Sequence, residues 1–330
     1  MTKTYLTYSR DLGDFTFDLC ELSRLGLHGI RLINKGKTTA EFISRIEEIL
    51  EVSRSNGLKI EILVDLPGEK ALIGNIGQGM QIEKGKIYDL YEEGLAPCEN
   101  RIPTTGFLPQ LNRGSVFEDD IVSIADGELE MKVLCLDGHA VRCEALNSFR
   151  LTSNRSFTIQ GNKLPVKPVS AHDLNLLDHL VKSKLAAQVK VLVSFVTKAA
   201  HVEYLKTISP DFNVVSKIET LLETEDLKAI IEASDSIMLG RGDLTSSSQM
   251  SEVFPFQKKV IEACRHFNKE LILATGLFGD LKNSGKPSIS DLMDFGYLRD
   301  MEVPAFLIAG SNANQYPFET LDLVVNFRKL

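Results

Sequence analysis

Residues 213–243 read NVVSKIETLLETEDLKAIIEASDSIMLGRGD. Asn213–Glu219 is a short apolar run suited to a buried parallel strand, and Ser236–Leu239 is a second. Between them Leu221–Ala233 carries a helical pattern. A strand, a helix and a strand in this order imply a parallel sheet covered by helices.

The alternation extends outward on both sides. Further strand-like runs occur at Thr4–Thr7, Gly29–Asn34, Lys59–Leu66 and Lys190–Val196, and beyond the quoted stretch at Glu270–Thr275 and Pro304–Ala309, which brings the total to eight. Helical patterns fall at Phe15–Leu25, Thr38–Ser55, Ala171–Leu185, Lys198–Thr207, Glu252–Phe267, Ser288–Asp300 and Phe318–Phe327. In Thr38–Ser55 the residues Phe42, Ile46, Ile49, Leu50 and Val52 form an apolar stripe, and Gly57 marks a stop. Eight strands, each with its helix, predict an α/β protein built as a closed (β/α)8 TIM barrel.

One segment interrupts the series. From about Glu69 to Asn162 the chain is rich in glycine and in short alternating runs such as Met131–Cys135 and Ala140–Ala145, joined by Asp137-Gly138. Asp-Gly between alternating runs signals a hairpin. The segment reads as a small β domain inserted after the third strand. Residues 1–68 and 163–330 then form the barrel, and 69–162 an inserted, β-barrel-like domain. No internal repeat or low-complexity tract occurs.

Composition narrows the function. A chain of 330 residues has room for about two domains at roughly 150 residues each. With 37 Lys and Arg against 45 Asp and Glu, the net charge is −8, which argues against nucleic acid as a partner. No stretch approaches the roughly 18 apolar residues of a membrane span, and Met1–Arg10 is too polar for a signal peptide. The five cysteines (Cys20, Cys98, Cys135, Cys143 and Cys264) never take a CxxC spacing, which disfavours a disulfide framework or a thiolate zinc site and points to a cytoplasmic location. Cys135 and Cys143 either face each other across the hairpin or are two buried free thiols.

An active site on this fold belongs at the C-terminal ends of the strands. Arg31 lies in the second strand, Asp65 ends the third, Ser194 lies in the fourth, and Lys217 and Glu219 end the fifth. Asp243 follows the sixth after Gly240-Arg241-Gly242, and Thr275 ends the seventh. Residues two apart on a strand share a face, so Lys217 and Glu219 point together into the barrel mouth. Such charges are either a structural ion pair or a site for a ligand, because unpaired buried charge is costly. Glu219 and Asp243 end neighbouring strands, and two carboxylates there suit Mg²⁺ or Mn²⁺, with water and substrate oxygens completing the shell. Gly240–Asp243 is either a simple loop or the start of a short helix whose free N–H groups would hold a carboxylate or phosphate.

Other features carry less. The six histidines (His28, His139, His172, His179, His201 and His266) share no metal spacing and read as surface or packing residues. The acidic run Glu223–Asp226 reads as a solvated helix start. Neither a Walker loop nor a GxGxxG after a strand is present, so nucleotide binding of those two kinds is not supported.

Val215-Ser-Lys217-Ile-Glu219, followed by Ile231-Glu-Ala-Ser-Asp235-Ser-Ile-Met238-Leu-Gly-Arg241-Gly-Asp243-Leu, resembles the pyruvate kinase segment around its catalytic lysine and metal-binding acids. Asp65-Leu-Pro-Gly68-Glu-Lys70, Ser194-Phe-Val-Thr-Lys198, Gln257-Lys258 and Ala274-Thr275 are similar as well, and the β insertion sits where the family has its lid domain. The resemblance implies the glycolytic reaction: metal-dependent phosphoryl transfer between phosphoenolpyruvate and an acceptor, ADP or another, through a pyruvate enolate. It implies that Lys217 neutralises the transferring phosphoryl group and the enolate, that Arg31 contacts the phosphoryl group, and that Glu219 and Asp243 hold Mg²⁺ or Mn²⁺. Backbone around Arg241, Gly242 and Asp243, with Thr275 and Ser194, would bind substrate, and Thr275 would belong to the proton relay. Asp126, in Asp126-Gly127, would be the lid's acid. Lys70, with Leu66 and Asp65 beside it, looks like the subset in which an ammonium replaces the monovalent cation, so K⁺ is expected to be dispensable. Family barrels usually pair through late helices, which makes a homodimer the expectation.

The departures fall on the nucleotide side. The family's Arg-Leu-Asn-Phe-Ser-His-Gly reads Arg31-Leu-Ile33-Asn34-Lys35-Gly36, its arginine after the Gly-Pro motif is Leu72, and Ala-Thr-Gln-Met reads Ala274-Thr275-Gly276-Leu277. Ser-Gly-Glu-Thr-Ala reads Ala309-Gly-Ser311-Asn312-Ala313. The C-terminal regulatory domain of the family is expected to be absent. Two other readings compete. A metal-dependent carbon–carbon lyase, of the aldolase or oxaloacetate decarboxylase type, would use the same enolate, and a similar Ile218-Glu219-Thr220 and Gly240–Leu244 pattern occurs in such barrels. A non-catalytic descendant is the other.

Overall fold

The structure is a computed structural model and describes residues 2–8, 15–34, 38–92, 100–105, 116–125, 127–137, 140–160, 167–281, 285–308, 313 and 315–327. Strands β1 (Lys3–Thr7), β2 (Gly29–Ile33), β3 (Glu61–Leu66), β13 (Lys190–Val193), β14 (Asn213–Ile218), β15 (Ser236–Gly240), β16 (Glu270–Ala274) and β17 (Ala305–Ile308) pair in parallel and close into a barrel. All eight stand where the apolar runs predict them.

Strand parity sorts the side chains. Leu63, Leu192, Val215, Met238, Ile272, Ala305 and Leu307 fill the interior with Tyr5, while their neighbours Ile62, Val64, Val191, Val193 and Val214 join the larger layer under the helices. The same parity carries polar residues to both ends of the lumen. At the N-terminal end Lys3 and Lys190 each pair with Glu61 and Glu270, and the Tyr5 hydroxyl donates to Glu61 at 2.7 Å. Burial opposes the Glu61 charge, but Lys190, Lys3 and Tyr5 hold its pKa at about 2.

The helices are α1 (Phe15–Arg24), α2 (Thr39–Ser55), α3 (Ala171–Lys182), α4 (Ala199–Ile208), α5 (Thr224–Ala233), α6 (Arg241–Ser247), α7 (Met250–His266), α8 (Ile289–Asp300) and α9 (Pro317–Phe327). Helix α2 starts at a reciprocal capping box of Thr38 and Glu41. Helix α3 ends three residues before its expected end, because Lys184 turns left-handed at φ 57°. Helix α5 begins at Thr224 rather than Leu221, with Glu223 as an extended N-cap.

Between β3 and α3 lies the inserted domain: β4 (Leu72–Ile73), β5 (Met80–Ile82), β6 (Ile87–Glu92), β7 (Arg101–Thr105), β8 (Ile121–Ile124), β9 (Leu129–Asp137), β10 (Ala140–Ala145), β11 (Phe149–Leu151) and β12 (Phe157–Ile159). Seven of these form one sheet in the order β12-β8-β9-β10-β6-β7-β4, and β11 pairs with β5. Its core, with Ile73, Leu90, Ile102, Val122, Met131 and Val141, is separate from the barrel's. The two cysteines of the β9–β10 hairpin do not face each other. A register shift sets Cys135 opposite Arg142 and Cys143 opposite Val133. Both are free thiols, but only Cys143 is buried, on the inner face of its strand, where burial pushes it up to about 12; Cys135 is exposed, against the expectation.

Candidate active site

The inward parity of β14 places Lys217 at the C-terminal mouth, two residues above Val215. Its ammonium is buried among oxygens: Ser194 Oγ at 2.9 Å, Glu219 Oε1 at 2.9 Å and Asp65 Oδ1 at 3.7 Å. Ser194 and Glu219 each lie one residue past their strands, in the turns, rather than within β13 and β14. The two turns are joined by the Phe195 N–H, which donates to Glu219 Oε2 at 3.0 Å. Phe195 holds a left-handed φ of 53°, an uncommon backbone state for an aromatic residue.

Asp65, the last residue but one of β3, accepts from Arg31 at 2.8 Å. Burial works against its charge, yet Arg31 and Lys217 hold its pKa at about 2. The Arg31 Nε is buried without a hydrogen-bond partner, so this guanidinium has a donor left for an incoming anion.

Lys70 comes from the first crossing into the inserted domain. Its Nζ donates to Asp243 Oδ2 at 3.0 Å and lies 4.6 Å from the Phe195 ring centroid. Burial acts to lower the Lys70 pKa, but Asp243 and Glu219 raise it above the ordinary lysine value. Lys70 is thus a fixed positive charge paired with Asp243 and near Glu219.

The Glu219 and Asp243 carboxyls lie close enough for each to act on the other's charge. Burial and the Asp243 charge push Glu219 up in spite of Lys217, while Lys70 and Lys217 hold Asp243 down against its own burial. A buried carboxyl beside a partly exposed one makes a hard-oxygen pair that a divalent cation would relieve of repulsion, so these residues fit Mg²⁺ or Mn²⁺. Among the described residues no group of three or more His, Cys, Asp or Glu is gathered for a metal.

The Gly240–Asp243 segment opens a short helix, α6, rather than a simple loop. A Cβ at Gly240 would stand 2.8 Å from Glu219 Cγ, and one at Gly242 would stand 2.9 Å from Thr275 Cγ2. Only glycine lets Glu219 and Thr275 approach the helix start this closely. Thr275 lies one residue beyond β16 in a left-handed conformation, φ 70°.

Arg241 contributes its backbone to the helix start, while its side chain has another task. Its side chain turns away from the mouth, donating to both oxygens of Asp294 on α8 at 2.8 Å and to the Thr275 carbonyl at 2.9 Å. Arg241 therefore positions Thr275 in this arrangement, and only its backbone lies at the helix start. Asp294 and Phe195 were not legible as site residues. The one available hint was that a buried arginine needs a carboxylate. Asp126, Lys35, Gly36 and Ala309–Asn312 lie outside the described residues.

A parallel barrel interrupted after its third strand by a mixed, mainly antiparallel β domain, with lysines and carboxylates gathered at one mouth, defines a distinct class among (β/α)8 barrels. The family model described as "Pyruvate kinase, barrel domain" matches residues 14–321, and the chain belongs to the pyruvate kinase family. It is similar to the pyruvate kinase of Aeropyrum pernix, 24% identical over 310 residues, covering 92% of this chain and 65% of that one. It is 27% identical over 309 residues to the pyruvate kinase of Haemophilus influenzae, covering 90% of this chain and 63% of the relative. The chain thus spans a little under two thirds of the length of these relatives. Among solved structures, Cryptosporidium parvum pyruvate kinase matches with a TM-score of 0.84 at 22% identity, over 99% of this chain and 70% of that chain. The Pyrobaculum aerophilum enzyme matches at 0.83 and 18% identity, over 99% and 73%. At these identities the structural matches speak to the fold. No helix among the described residues is long and apolar enough to cross a membrane.

Proposed function

We propose that this protein transfers a phosphoryl group between phosphoenolpyruvate and an acceptor, ADP or another, through a pyruvate enolate. One observation carries the reading: at the barrel mouth the buried Lys217 pairs with Glu219 and the partly exposed Lys70 pairs with Asp243, so two ammonium groups face two neighbouring carboxyls. A phosphorylated carboxylic acid with a loose transition state needs fixed positive charge and positioning rather than covalent chemistry.

Each group has a role. Lys217 neutralises the moving phosphoryl group and the enolate oxygen. Arg31 offers its spare Nε to a phosphoryl oxygen. The backbone at Gly242 and Asp243, beside Ser194 and Thr275, seats the substrate carboxylate, and Thr275 serves the proton relay at the enolate carbon. Glu219 and Asp243 would hold Mg²⁺ or Mn²⁺, which when bound supplies Lewis-acid charge to substrate oxygens. Lys70, beside Asp65, stands in for the monovalent cation, so K⁺ is not required. Asp126 is assigned to the lid side of the site.

The acceptor is less constrained. Leu72, on β4 opposite Thr105, offers no charge where the family has an arginine. We assign the protein to the cytoplasm, in keeping with the free thiols of Cys20, Cys135, Cys143 and Cys264. We also assign it a homodimeric state through α7 and α8, where Met250 (73% exposed), Phe254, Met293 and Ile289 (80% exposed) leave a bare apolar face.

The deciding experiment is pyruvate release from phosphoenolpyruvate with Mg²⁺ or Mn²⁺, with and without a panel of nucleotides. Release that needs both cation and nucleotide is the expected result, and EDTA abolishes it. No release with any nucleotide, together with cation-dependent cleavage of oxaloacetate, would replace this reading with the lyase. Neither activity, and no cation-dependent binding of oxalate, would leave a non-catalytic protein.

A further inference from the structure

We infer that Asp173 is the hinge pin of the inserted domain, and so the residue that places Lys70 in the site. The chain leaves the barrel through Pro67-Gly68-Glu69-Lys70 and returns through Lys167-Pro168-Val169-Ser170. These two crossings are bridged by Glu69 and Lys167, through both backbone and side chains. Beneath the bridge, one carboxylate oxygen holds both crossings. Asp173 Oδ2 accepts the Gly68 N–H at 3.1 Å from the outgoing crossing, and the Ser170 N–H and hydroxyl, each at 2.8 Å, from the returning one.

The setting leaves this contact little slack. Asp173 is fully buried, and its other oxygen, Oδ1, has no hydrogen-bond partner. All of its bonding therefore runs through the crossings and its own helix start. Gly68 sits at φ 68°, and a Cβ there would stand 2.5 Å from the Lys167 carbonyl oxygen. Gly68 is two residues before Lys70, whose ammonium reaches Asp243. Losing the pin frees both crossings at once and lets Lys70 drift from Asp243. Only the consequence for Lys70 chemistry rests on the proposed reaction; the pin itself does not.

The fold supplies its own control. Helix α8 begins with the same capping box, in which Ser288 and Asp291 play the parts of Ser170 and Asp173 far from either crossing. The test is amide hydrogen exchange on the full chain, without substrate, for Asp173→Ala, Asp173→Asn and Asp291→Ala. Asp173→Ala is expected to speed exchange at Gly68, Glu69 and Ser170 by about tenfold or more, since hydrogen bonds to a charged acceptor are lost together. Asn keeps an acceptor oxygen and restores most of the protection. Asp291→Ala leaves the crossings unchanged. Hinge exchange in Asp173→Ala equal to wild type, or a matching rise in Asp291→Ala, would overturn the inference. Should Asp173→Ala fail to fold, Asp173→Asn alone is read: a smaller rise confined to the crossings supports the pin, and none overturns it. With phosphoenolpyruvate turnover in hand, Asp173→Ala gains activation by K⁺ and Asp291→Ala does not. If no turnover is found, the proposed reaction falls while the exchange result still decides the hinge.

Discussion

Lys70 and Asp243 are 173 residues apart in the chain, yet Lys70 Nζ donates to Asp243 Oδ2 at 3.0 Å. The contact ties the first crossing into the inserted domain to the helix start that follows the sixth barrel strand. It also keeps the Asp243 carboxylate ionised beside its neighbour Glu219.

That relationship makes the monovalent cation replaceable. Wild-type turnover at saturating Mg²⁺ is expected to be the same in K⁺ as in tetramethylammonium salt. Lys70→Ala is expected to lose most activity and to recover part of it with K⁺. A large K⁺ activation of the wild type would show that the ammonium does not play this part.

Lys217 is the only lysine among the described residues that contacts both Ser194 and Glu219 at the mouth. Lys217→Met is expected to lower the rate of pyruvate release by about 10²–10³, the scale of a lost transition-state charge partner. Oxalate binding with Mn²⁺ should survive the substitution. Near-normal turnover in Lys217→Met would remove it from the chemistry.

Arg241 clamps α8 to the end of β16 through Asp294 and the Thr275 carbonyl. Arg241→Ala leaves Asp294 without its fork and frees the strained turn, which should cost about 2–3 kcal/mol in urea denaturation. Arg241→Lys should recover little, because an ammonium cannot span both carboxylate oxygens and the carbonyl.

Acid stability follows from Asp65. Its pKa is lowered from an ordinary 3.8 to about 2 in the folded chain. A depressed carboxyl stabilises the fold above its unfolded pKa and loses that contribution as pH falls through the folded one. About 2 kcal/mol should therefore disappear between roughly pH 4 and 2. Glu61, lowered from 4.5 to about 2, adds to the same decline. Glu219 is shifted upward and works in the opposite direction at higher pH. Urea midpoints measured from pH 6 downward test this, and Asp65→Asn should give a shallower profile.

The bare face of α7 and α8 predicts a dimer. Light scattering should report twice the chain mass for the wild type and a monomer for Ile289→Arg combined with Met293→Glu. A monomeric wild type at micromolar concentration would dismiss this interface.

The alternation of apolar runs with helical patterns determined the barrel by itself. A buried parallel strand must be apolar on both faces, and eight such runs leave few other ways to be covered. The two-residue parity of β14 likewise made Lys217 legible, because local geometry sets the face of a strand. The sequence also marked the break after Leu66, where the periodicity changes. It did not reveal the Lys70–Asp243 contact, the Arg241–Asp294 fork, or the single Asp173 oxygen shared by Gly68 and Ser170. Each joins residues from separate elements, and which partner a buried charge finds depends on barrel closure and register. The left-handed turns at Phe195 and Thr275 belong with them: their own side chains disfavour that backbone, and only the surrounding contacts hold it.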